Sequence, residues 1–289
     1  MSIQRIAQAI QKKQCILFLG AGIHAPPPDG SGQSYPPAAR PPLGGELSRR
    51  LAQASSYDTA YPGKDTSHLQ RVAWHCEHSL GRNALVAAIR KEVDEGKTPS
   101  PLLKLLAELD FPLIVTTNYD NLLERALFAA NKSPRVSIYK PDATQHTDDL
   151  DSDPDPSNPF LVKIHGDISR PESLVVTDED YIHFVMRMRD KDQFNPIPET
   201  LQYHLRRWPV LFVGYSLLDY NLRLLFRTLR WSADKARIPD SFSIDKYPDT
   251  LVKSLYDDQL RLVRFVVDDL WAFIPALHGQ VTSQMKGAA

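Results

Sequence analysis

Cysteine is scarce in this sequence, where only Cys15 and Cys76 occur among 289 residues. Two thiols cannot build a disulfide framework or a four-cysteine zinc site, so we expect no zinc and predict no metal ligands. A chain with so few cysteines suits a reducing compartment, and we therefore expect a cytoplasmic protein.

Long apolar runs and a strong net charge are also missing. No run approaches the roughly 20 residues that a membrane-spanning helix needs. The formal net charge is −1, so no overall field draws the chain to nucleic acid or to an anionic membrane. We expect neither of these among its direct partners.

The sequence does contain a regular alternation of short apolar runs and amphipathic segments. The apolar runs predict strands at 15–19, 112–117, 135–139, 160–164, 173–177, 209–213, 241–244 and 261–267. The amphipathic stripes predict helices at 46–53, 68–80, 83–93, 102–109, 122–130, 178–186, 220–231 and 250–260, with Thr177 as an N-cap. This order predicts an α/β fold, a doubly wound parallel sheet with a smaller helical module. We expect residues 1–45 and 111–289 to form a Rossmann-like domain, and residues 46–110 to form a helical module that closes over the site.

One segment, at 24–45, differs from the rest because it is rich in proline, glycine and serine. Proline removes amide donors and fixes φ, so we expect neither a helix nor a central strand there. A loop of this length inside a compact domain is usually functional or mobile.

Glycine and polar residues directly follow four of the predicted strands. They are Gly20-Ala21-Gly22, Thr116-Thr117-Asn118-Tyr119-Asp120, His165-Gly166-Asp167 and Gly214-Tyr215-Ser216. Because parallel strands present their carboxyl ends at one edge, we expect these segments to converge on a ligand. The spacing from Gly20 to Ala25 also fits G-x-G-x-x-A, a weak signal that a tight turn would also explain.

Taken in order, five segments resemble the sirtuin-like family over roughly residues 13–275: FLGAG, VTTNYDNLLERAL, LVKIHGD, ESLVVTDEDY and LFVGYSLLDYNLRLL. The nearest subgroup is that of bacterial sirtuin-like proteins tied to NAD depletion in anti-phage defence. The resemblance implies a sirtuin-type Rossmann-like fold, with NAD as a substrate that is hydrolysed to nicotinamide and ADP-ribose. It also implies a homo-oligomer that docks on a HerA-type ring ATPase.

The resemblance further assigns roles to individual residues. It places the catalytic Asn118 and Asp120 beside the nicotinamide and its ribose, and the catalytic His165 against the ribose hydroxyls. The residues that it implies for cofactor binding are Gly20, Ala21, Gly22, Thr117, Gly214 and Ser216.

These residue types suit the cleavage of a glycosidic bond to a cationic pyridinium. The leaving group departs neutral, so the enzyme has to stabilise an oxocarbenium-like ribose and position the attacking oxygen. The Asp120 carboxylate favours the developing positive charge, Asn118 can hold a water or the carboxamide, and His165 can accept a proton.

Each assignment has a structural alternative. His165 also fits a core histidine, and Asn118 also fits the N-cap of the helix that follows it. The cluster His75-Cys76-Glu77-His78 suggests a metal site, but no second ligand pair accompanies it and a structural origin is favoured. A subunit that binds NAD or ADP-ribose without turnover is the alternative to a hydrolase.

A protein deacylase is disfavoured by three departures from the deacetylating sirtuins. The two C-x-x-C pairs of their zinc ribbon are missing, and His24 replaces the serine of their glycine-rich motif. The segment Pro-Pro-Leu-Gly-Gly-Glu-Leu at 41–47 replaces their P-x-F-R. These departures leave the roles of His24 and Arg40 open.

Overall fold

A parallel sheet lies at the centre of the described structure. The computed structural model describes residues 2–142, 144–188, 196–217, 226, 238–260 and 262–286. Neighbouring strands are all parallel, in the order β3-β4-β2-β1-β5-β6-β7. The strands are β1 (Ile16–Leu19), β2 (Leu113–Thr116), β3 (Arg135–Ile138), β4 (Phe160–Lys163), β5 (Val210–Val213), β6 (Ser241–Ile244) and β7 (Arg264–Val266).

Helices alternate with these strands at most of the predicted positions. They are α1 (Ser2–Gln11), α2 (Gly44–Ala54), α3 (Tyr57–Ala60), α4 (Leu69–Leu80), α5 (Arg82–Val93), α6 (Pro101–Glu108), α7 (Leu122–Ala129), α8 (Asp178–Arg187), α9 (Glu199–Leu205), α10 (Thr250–Lys253) and α11 (Leu270–Lys286). A π-helical segment, Ser254–Gln259, continues α10. The helix predicted at 220–231 lies outside the described residues except for Phe226. Within the described ranges, no helix is long and apolar enough to span a membrane.

Both faces of the sheet are covered, because side chains two residues apart on a strand share a face. Leu17 and Leu19 of β1 face a core shared with α1, α6, α7 and α11. Ile16 and Phe18 face the opposite core, which includes residues of α8 and α9. The prediction of a doubly wound parallel sheet is therefore confirmed.

The strand predicted at 173–177 is wrong. Pro171–Ser173 form a 3-10 turn, and residues 174–177 belong to no strand. The Val175 amide instead donates to the carbonyl of His165 at 3.0 Å. This run is buried between the sheet and the helices, and its apolar sequence gives the same signal as a central strand.

The end of the same run confirms the predicted N-cap. Thr177 Oγ1 accepts a hydrogen bond from the Asp180 amide at 3.1 Å, and Asp180 Oδ2 accepts one from the Thr177 amide at 3.0 Å. This reciprocal capping box fixes the start of α8.

The proline-rich loop at 24–45 is irregular over most of its length, as predicted. It contains a short 3-10 turn, Pro37–Ala39, and ends in the first turn of α2. Helix α2 therefore begins at Gly44, two residues before the predicted start at 46. Gly44 and Gly45 have no side chain, so they add nothing to the apolar stripe from which the helix is predicted.

Helices α2 to α5 build a third core, which also contains residues from the loops that follow β2 and β4. Those loop residues are Tyr119, Ile168, Leu174 and Val176. Arg82 of α5 strengthens the contact, because it donates to Asp180 Oδ2 and to the Leu174 carbonyl, each at 2.8 Å. Helix α6 packs in a different core, beneath the sheet with α1 and α7. The division into domains at 45/46 and 110/111 stays a prediction.

A buried lysine at the end of β4 connects two of the strand-end loops. Lys163 is fully buried, and its Nζ donates to the Asp120 carbonyl at 2.6 Å and to Glu124 Oε1 at 3.0 Å. It also forms an ion pair with Asp167 Oδ2. One ammonium therefore satisfies acceptors from the β2 loop, from α7 and from the β4 loop.

We expect Lys163→Met to lower the free energy of unfolding by about 3 to 5 kcal/mol, because the change leaves two buried carboxylates without their cation. Urea denaturation measures this loss. Lys132→Met is the matched control, since Lys132 is also buried but lies 3.9 Å from its nearest carboxylate, that of Asp110. Its expected cost is about 1 kcal/mol. Equal costs for the two variants would contradict a special role for the Lys163 network.

Candidate functional site

The four glycine and polar segments predicted to converge do meet at one edge of the sheet. The strands end in register there, with Leu19 level with both Thr116 and Val213, and Thr116 level with Lys163. A cavity of about 1430 Å³ opens at this edge. Among the residues predicted for the site, those that line it are Ala21, Thr117, Asn118, Asp120, His165 and Ser216. The volume is large enough for a dinucleotide, since pockets for drug-sized ligands are about 300 to 1000 Å³.

The three glycines predicted to bind the cofactor are not among the residues that line this cavity. The Gly22 amide donates to the Gly214 carbonyl at 2.9 Å, and a Cβ on Gly22 would lie 2.8 Å from Gly214 Cα. A Cβ on Gly20 would meet the Gly214 carbonyl oxygen at 2.6 Å. Gly214 has a φ of +72°, which favours glycine. These glycines allow the loops after β1 and β5 to approach each other closely, and their contact with a cofactor stays a prediction.

Asn118 and Asp120 lie in the turn between β2 and α7. The backbone amide of Asn118 donates to Thr116 Oγ1 at 3.0 Å. Asn118 and Asp120 both line the cavity, although each is more than nine-tenths buried. Helix α7 begins at Leu122, and the Leu122 amide donates a hydrogen bond to Asp120 Oδ1 at 3.0 Å. The side chain that caps the start of α7 is therefore that of Asp120. The alternative in which Asn118 is the N-cap of this helix is wrong.

His165 follows β4 and combines packing with access to the cavity. Its ring lies edge-on to Tyr181 and Phe184, with centroids 5.0 and 5.5 Å away, and its Nδ1 is 3.3 Å from Tyr181 Oη. The side chain is 5% exposed and lines the cavity. The rings of α8 thus fix the orientation of the imidazole relative to the cavity.

The structure adds lining residues that the sequence reasoning did not assign to the site. Helix α8 contributes Asp178, Ile182 and Met186, which are spaced four residues apart and therefore share one helix face. The segment TDEDY carried part of the family resemblance, so this helical spacing was a signal that could have identified them. His24, Trp74 and Tyr215 also line the cavity, and Tyr215 Oη lies 2.8 Å from Thr117 Oγ1.

The cluster around Cys76 has a structural surrounding. His75 Nε2 lies 3.1 Å from the Ser55 carbonyl oxygen, and its ring lies edge-on to Tyr57 and Tyr61. Cys76 is fully buried in the core of α2 to α5. These contacts hold α4 against α2 and α3.

The charges beneath the site affect one another strongly. Burial raises the pKa of Asp120 to about 6, even though Lys163 and the Leu122 amide act to lower it. Burial opposes the charge of Lys163, but the carboxylates of Glu124 and Asp167 raise its pKa above the ordinary value. Burial also disfavours the charged form of Asp167 and so raises its pKa, yet Lys163 holds the pKa of that carboxyl below its usual range. Asp120 is therefore a carboxylate that changes its charge near neutral pH.

An open parallel sheet with helices on both faces and a cavity at the carboxyl ends of its strands defines a Rossmann-like α/β protein. A family model described as the SIR2-like domain matches residues 112–264, more than half of the chain. The chain therefore belongs to the SIR2-like domain family.

Several curated proteins are similar to this chain. NAD(+) hydrolase ThsA of Acinetobacter baumannii is 26% identical over 228 residues, which cover 79% of this chain and 42% of that protein. The ThsA of Enterococcus faecium is 27% identical over 231 residues, with the same two shares. Defense-associated sirtuin 2 of Bacillus subtilis is 27% identical over 138 residues, which cover 46% of this chain and 12% of that protein. The chain spans about two fifths of the length of the ThsA relatives.

The raised pKa of Asp120 predicts a pH-dependent stability difference between the protein and its Asp120→Asn variant. The folded state binds the Asp120 proton more tightly than the unfolded state does, so this stabilisation is present below about pH 4 and is lost as the pH rises through about 6. Relative to the variant, we expect the unmodified protein to lose about 3 kcal/mol of unfolding free energy between about pH 4 and 7.

Urea denaturation across this pH range measures the difference. Asp142→Asn is a control of opposite sign, because hydrogen bonds from Thr144 lower the pKa of the exposed Asp142. Relative to that control variant, the protein should gain stability only as the pH rises towards about 4, because the lowered pKa of Asp142 lies below that value, and the difference should stay nearly constant between about pH 4 and 7. A pH-independent difference for Asp120→Asn would show that Asp120 titrates normally.

Proposed function

We propose that this protein is an NAD glycohydrolase that cleaves NAD to nicotinamide and ADP-ribose. The observation that carries this proposal is the convergence of Asn118, Asp120 and His165 on one cavity at the carboxyl ends of the strands. Two similar proteins are named NAD(+) hydrolase, which agrees with that chemistry. The proposal extends the activity to this chain, which spans only part of those proteins.

The proposed catalytic roles follow from the chemistry of the three side chains. Asp120, with a pKa of about 6, is mostly ionised at neutral pH and stabilises positive charge on the ribose as the neutral nicotinamide departs. Asn118 positions the carboxamide or the attacking water through its donor and acceptor atoms. His165 accepts a proton from that water or from a ribose hydroxyl. Tyr181, 3.3 Å from His165 Nδ1, orients the ring.

The proposed cofactor-binding residues fall into two groups. Ala21, Thr117 and Ser216 line the cavity and are available to contact the dinucleotide directly. Gly20, Gly22 and Gly214 support them, because their lack of side chains lets the two loops approach closely. Metal ligands form no part of this proposal.

We propose that the helical module at 46–110 closes over the bound dinucleotide, which the domain at 1–45 and 111–289 holds from below. In support, Leu47 of α2 and Trp74 of α4 line the same cavity as the strand-end residues. A closed module would exclude bulk water, and exclusion of water strengthens the interaction of Asp120 with a cationic ribose.

The biological setting is also a proposal. We propose a cytoplasmic effector of anti-phage defence that acts as a homo-oligomer with a HerA-type ring ATPase. One similar protein is named Defense-associated sirtuin 2, and Cys15 and Cys76 are both free thiols, which suits a reducing compartment.

We expect His165→Ala to reduce nicotinamide release by about 10²- to 10⁴-fold, because the variant lacks the proton acceptor. Chromatography of nicotinamide released from NAD, in the absence of an acylated peptide, measures the rate. His204→Ala is the matched control, since His204 is also buried and packs on Trp208 but lies outside the cavity lining. The control should lose similar stability and keep its activity.

Three results would contradict the proposal in different ways. Turnover of the His165→Ala variant at the unmodified rate would remove His165 from the mechanism. NAD binding by the unmodified protein without nicotinamide release would indicate a binding subunit. Release that requires an acylated peptide would indicate a deacylase.

A further inference from the structure

His24 is a buried histidine beside the candidate site that the proposed reaction does not use. It ends the 3-10 turn Ala21–His24 after β1, is 2% exposed and lines the cavity. The turn is held in place from α6, because Ser100 Oγ donates to the Ile23 carbonyl at 2.9 Å and also caps that helix. The backbone that carries His24 is thus held from outside the cavity.

The hydrogen bonds around His24 determine which of its ring nitrogens carries the proton. Tyr35 Oη lies 2.7 Å from the Thr98 carbonyl and 3.3 Å from the Ala39 carbonyl, and both of these oxygens can only accept. The single Tyr35 proton is therefore donated to a backbone oxygen. His24 Nδ1, 3.2 Å from Tyr35 Oη, must then be the donor in its own contact.

The other ring nitrogen carries a lone pair. Burial lowers the pKa of His24 to about 4, so the ring is neutral at physiological pH and a proton on Nδ1 leaves Nε2 unprotonated. Nε2 has no hydrogen-bond partner within the described residues. A buried acceptor without a donor costs about 1 to 3 kcal/mol, and this cost disappears when a ligand supplies the donor.

We propose that His24 is a substrate-positioning residue whose Nε2 accepts a hydrogen bond from an O–H or N–H group of the bound dinucleotide. The proposal rests on the proposed function, in which NAD occupies this cavity. NAD offers three classes of such donors, which are the carboxamide nitrogen, the adenine amino group and the ribose hydroxyls. Tyr35 serves to hold the proton on Nδ1, and the chain thereby presents an acceptor and no positive charge to the ligand.

The first test uses the ligand-free protein. Two-bond proton–nitrogen NMR correlations on protein labelled with ¹⁵N-histidine distinguish the two neutral tautomers, and His24→Gln assigns the resonance. We expect the Nδ1–H form at neutral pH. The Nε2–H form would overturn the proposal, because Nε2 would then be a donor. This measurement does not depend on NAD or on the folding of an apolar variant.

The second test measures the dissociation constant of NAD by calorimetry in the His165→Ala background, where substrate is not consumed. Adding His24→Phe keeps a planar ring but removes the acceptor, and we expect about tenfold weaker binding. Adding His24→Gln provides an amide oxygen and should restore part of the affinity.

The matched control for a buried histidine with an orphaned nitrogen is His204→Phe. His204 Nδ1 also has no partner within the described residues, but this residue lies outside the cavity lining. We expect its replacement to leave the dissociation constant unchanged, although it also exchanges a buried imidazole for a phenyl ring.

Two NAD analogues identify the donor. 3-Acetylpyridine adenine dinucleotide lacks the carboxamide NH₂, and nicotinamide hypoxanthine dinucleotide lacks the adenine NH₂. If His24→Phe does not weaken the binding of one analogue, the NH₂ group that this analogue lacks is the donor to His24. The comparison is a double-mutant cycle between the residue and the ligand group. Undiminished sensitivity with both analogues assigns a ribose hydroxyl.

The outcomes separate this role from the proposed function. Equal NAD affinities with and without His24→Phe, in variants that are folded, would overturn the role of His24 and leave the proposed function standing. An unmodified protein that neither binds NAD nor releases nicotinamide from it would overturn the proposed function, and the role of His24 with it.

Discussion

The buried ammonium of Lys163 is the interaction on which the geometry of the site depends. It lies at the last residue of β4, and it reaches the backbone of Asp120, the carboxylate of Glu124 and the carboxylate of Asp167. Isolated charges are too costly to bury, so each of these groups needs the others. The turn that carries Asn118 is consequently held at a set distance from the loop that carries His165, and the two halves of the candidate catalytic group cannot move independently without breaking the network.

A second constraint is steric and lies at the centre of the sheet. Strand β1 is flanked by β2 and β5, which is the point where the chain changes direction across the sheet and where ligands bind in such folds. The loops after β1 and β5 approach each other closely through the backbones of Gly20, Gly22 and Gly214. This close approach occupies the Gly22 amide and brings Ala21 and Ser216 to the same cavity. The glycine-rich segment thus acts first as a packing element, and its nearest neighbour is another loop of the same chain.

The helical layer completes the site by packing on the loops themselves. Tyr119 lies between Asn118 and Asp120 in sequence, and its side chain enters the core formed by α2 to α5 while its Oη donates to the Val175 carbonyl at 2.9 Å. Val175 in turn donates its amide to the His165 carbonyl. Displacement of the helices would therefore be transmitted through direct contacts to the loops that carry Asn118 and His165.

The sequence by itself determined the parallel sheet, most of its strands and the convergence of Asn118, Asp120 and His165, because the hydrophobic pattern and the alternation of strands and helices can be read from the residues. The prediction from sequence failed at 173–177, where an apolar run is buried but pairs with no strand. A buried loop and a buried strand have the same apolar pattern in the sequence. Only the tertiary structure decided that Gly22 contacts Gly214, that burial raises the pKa of Asp120, and that Tyr35 leaves a lone pair on His24. Those properties depend on which groups lie within a few ångströms, and partners distant in sequence supply the contacts.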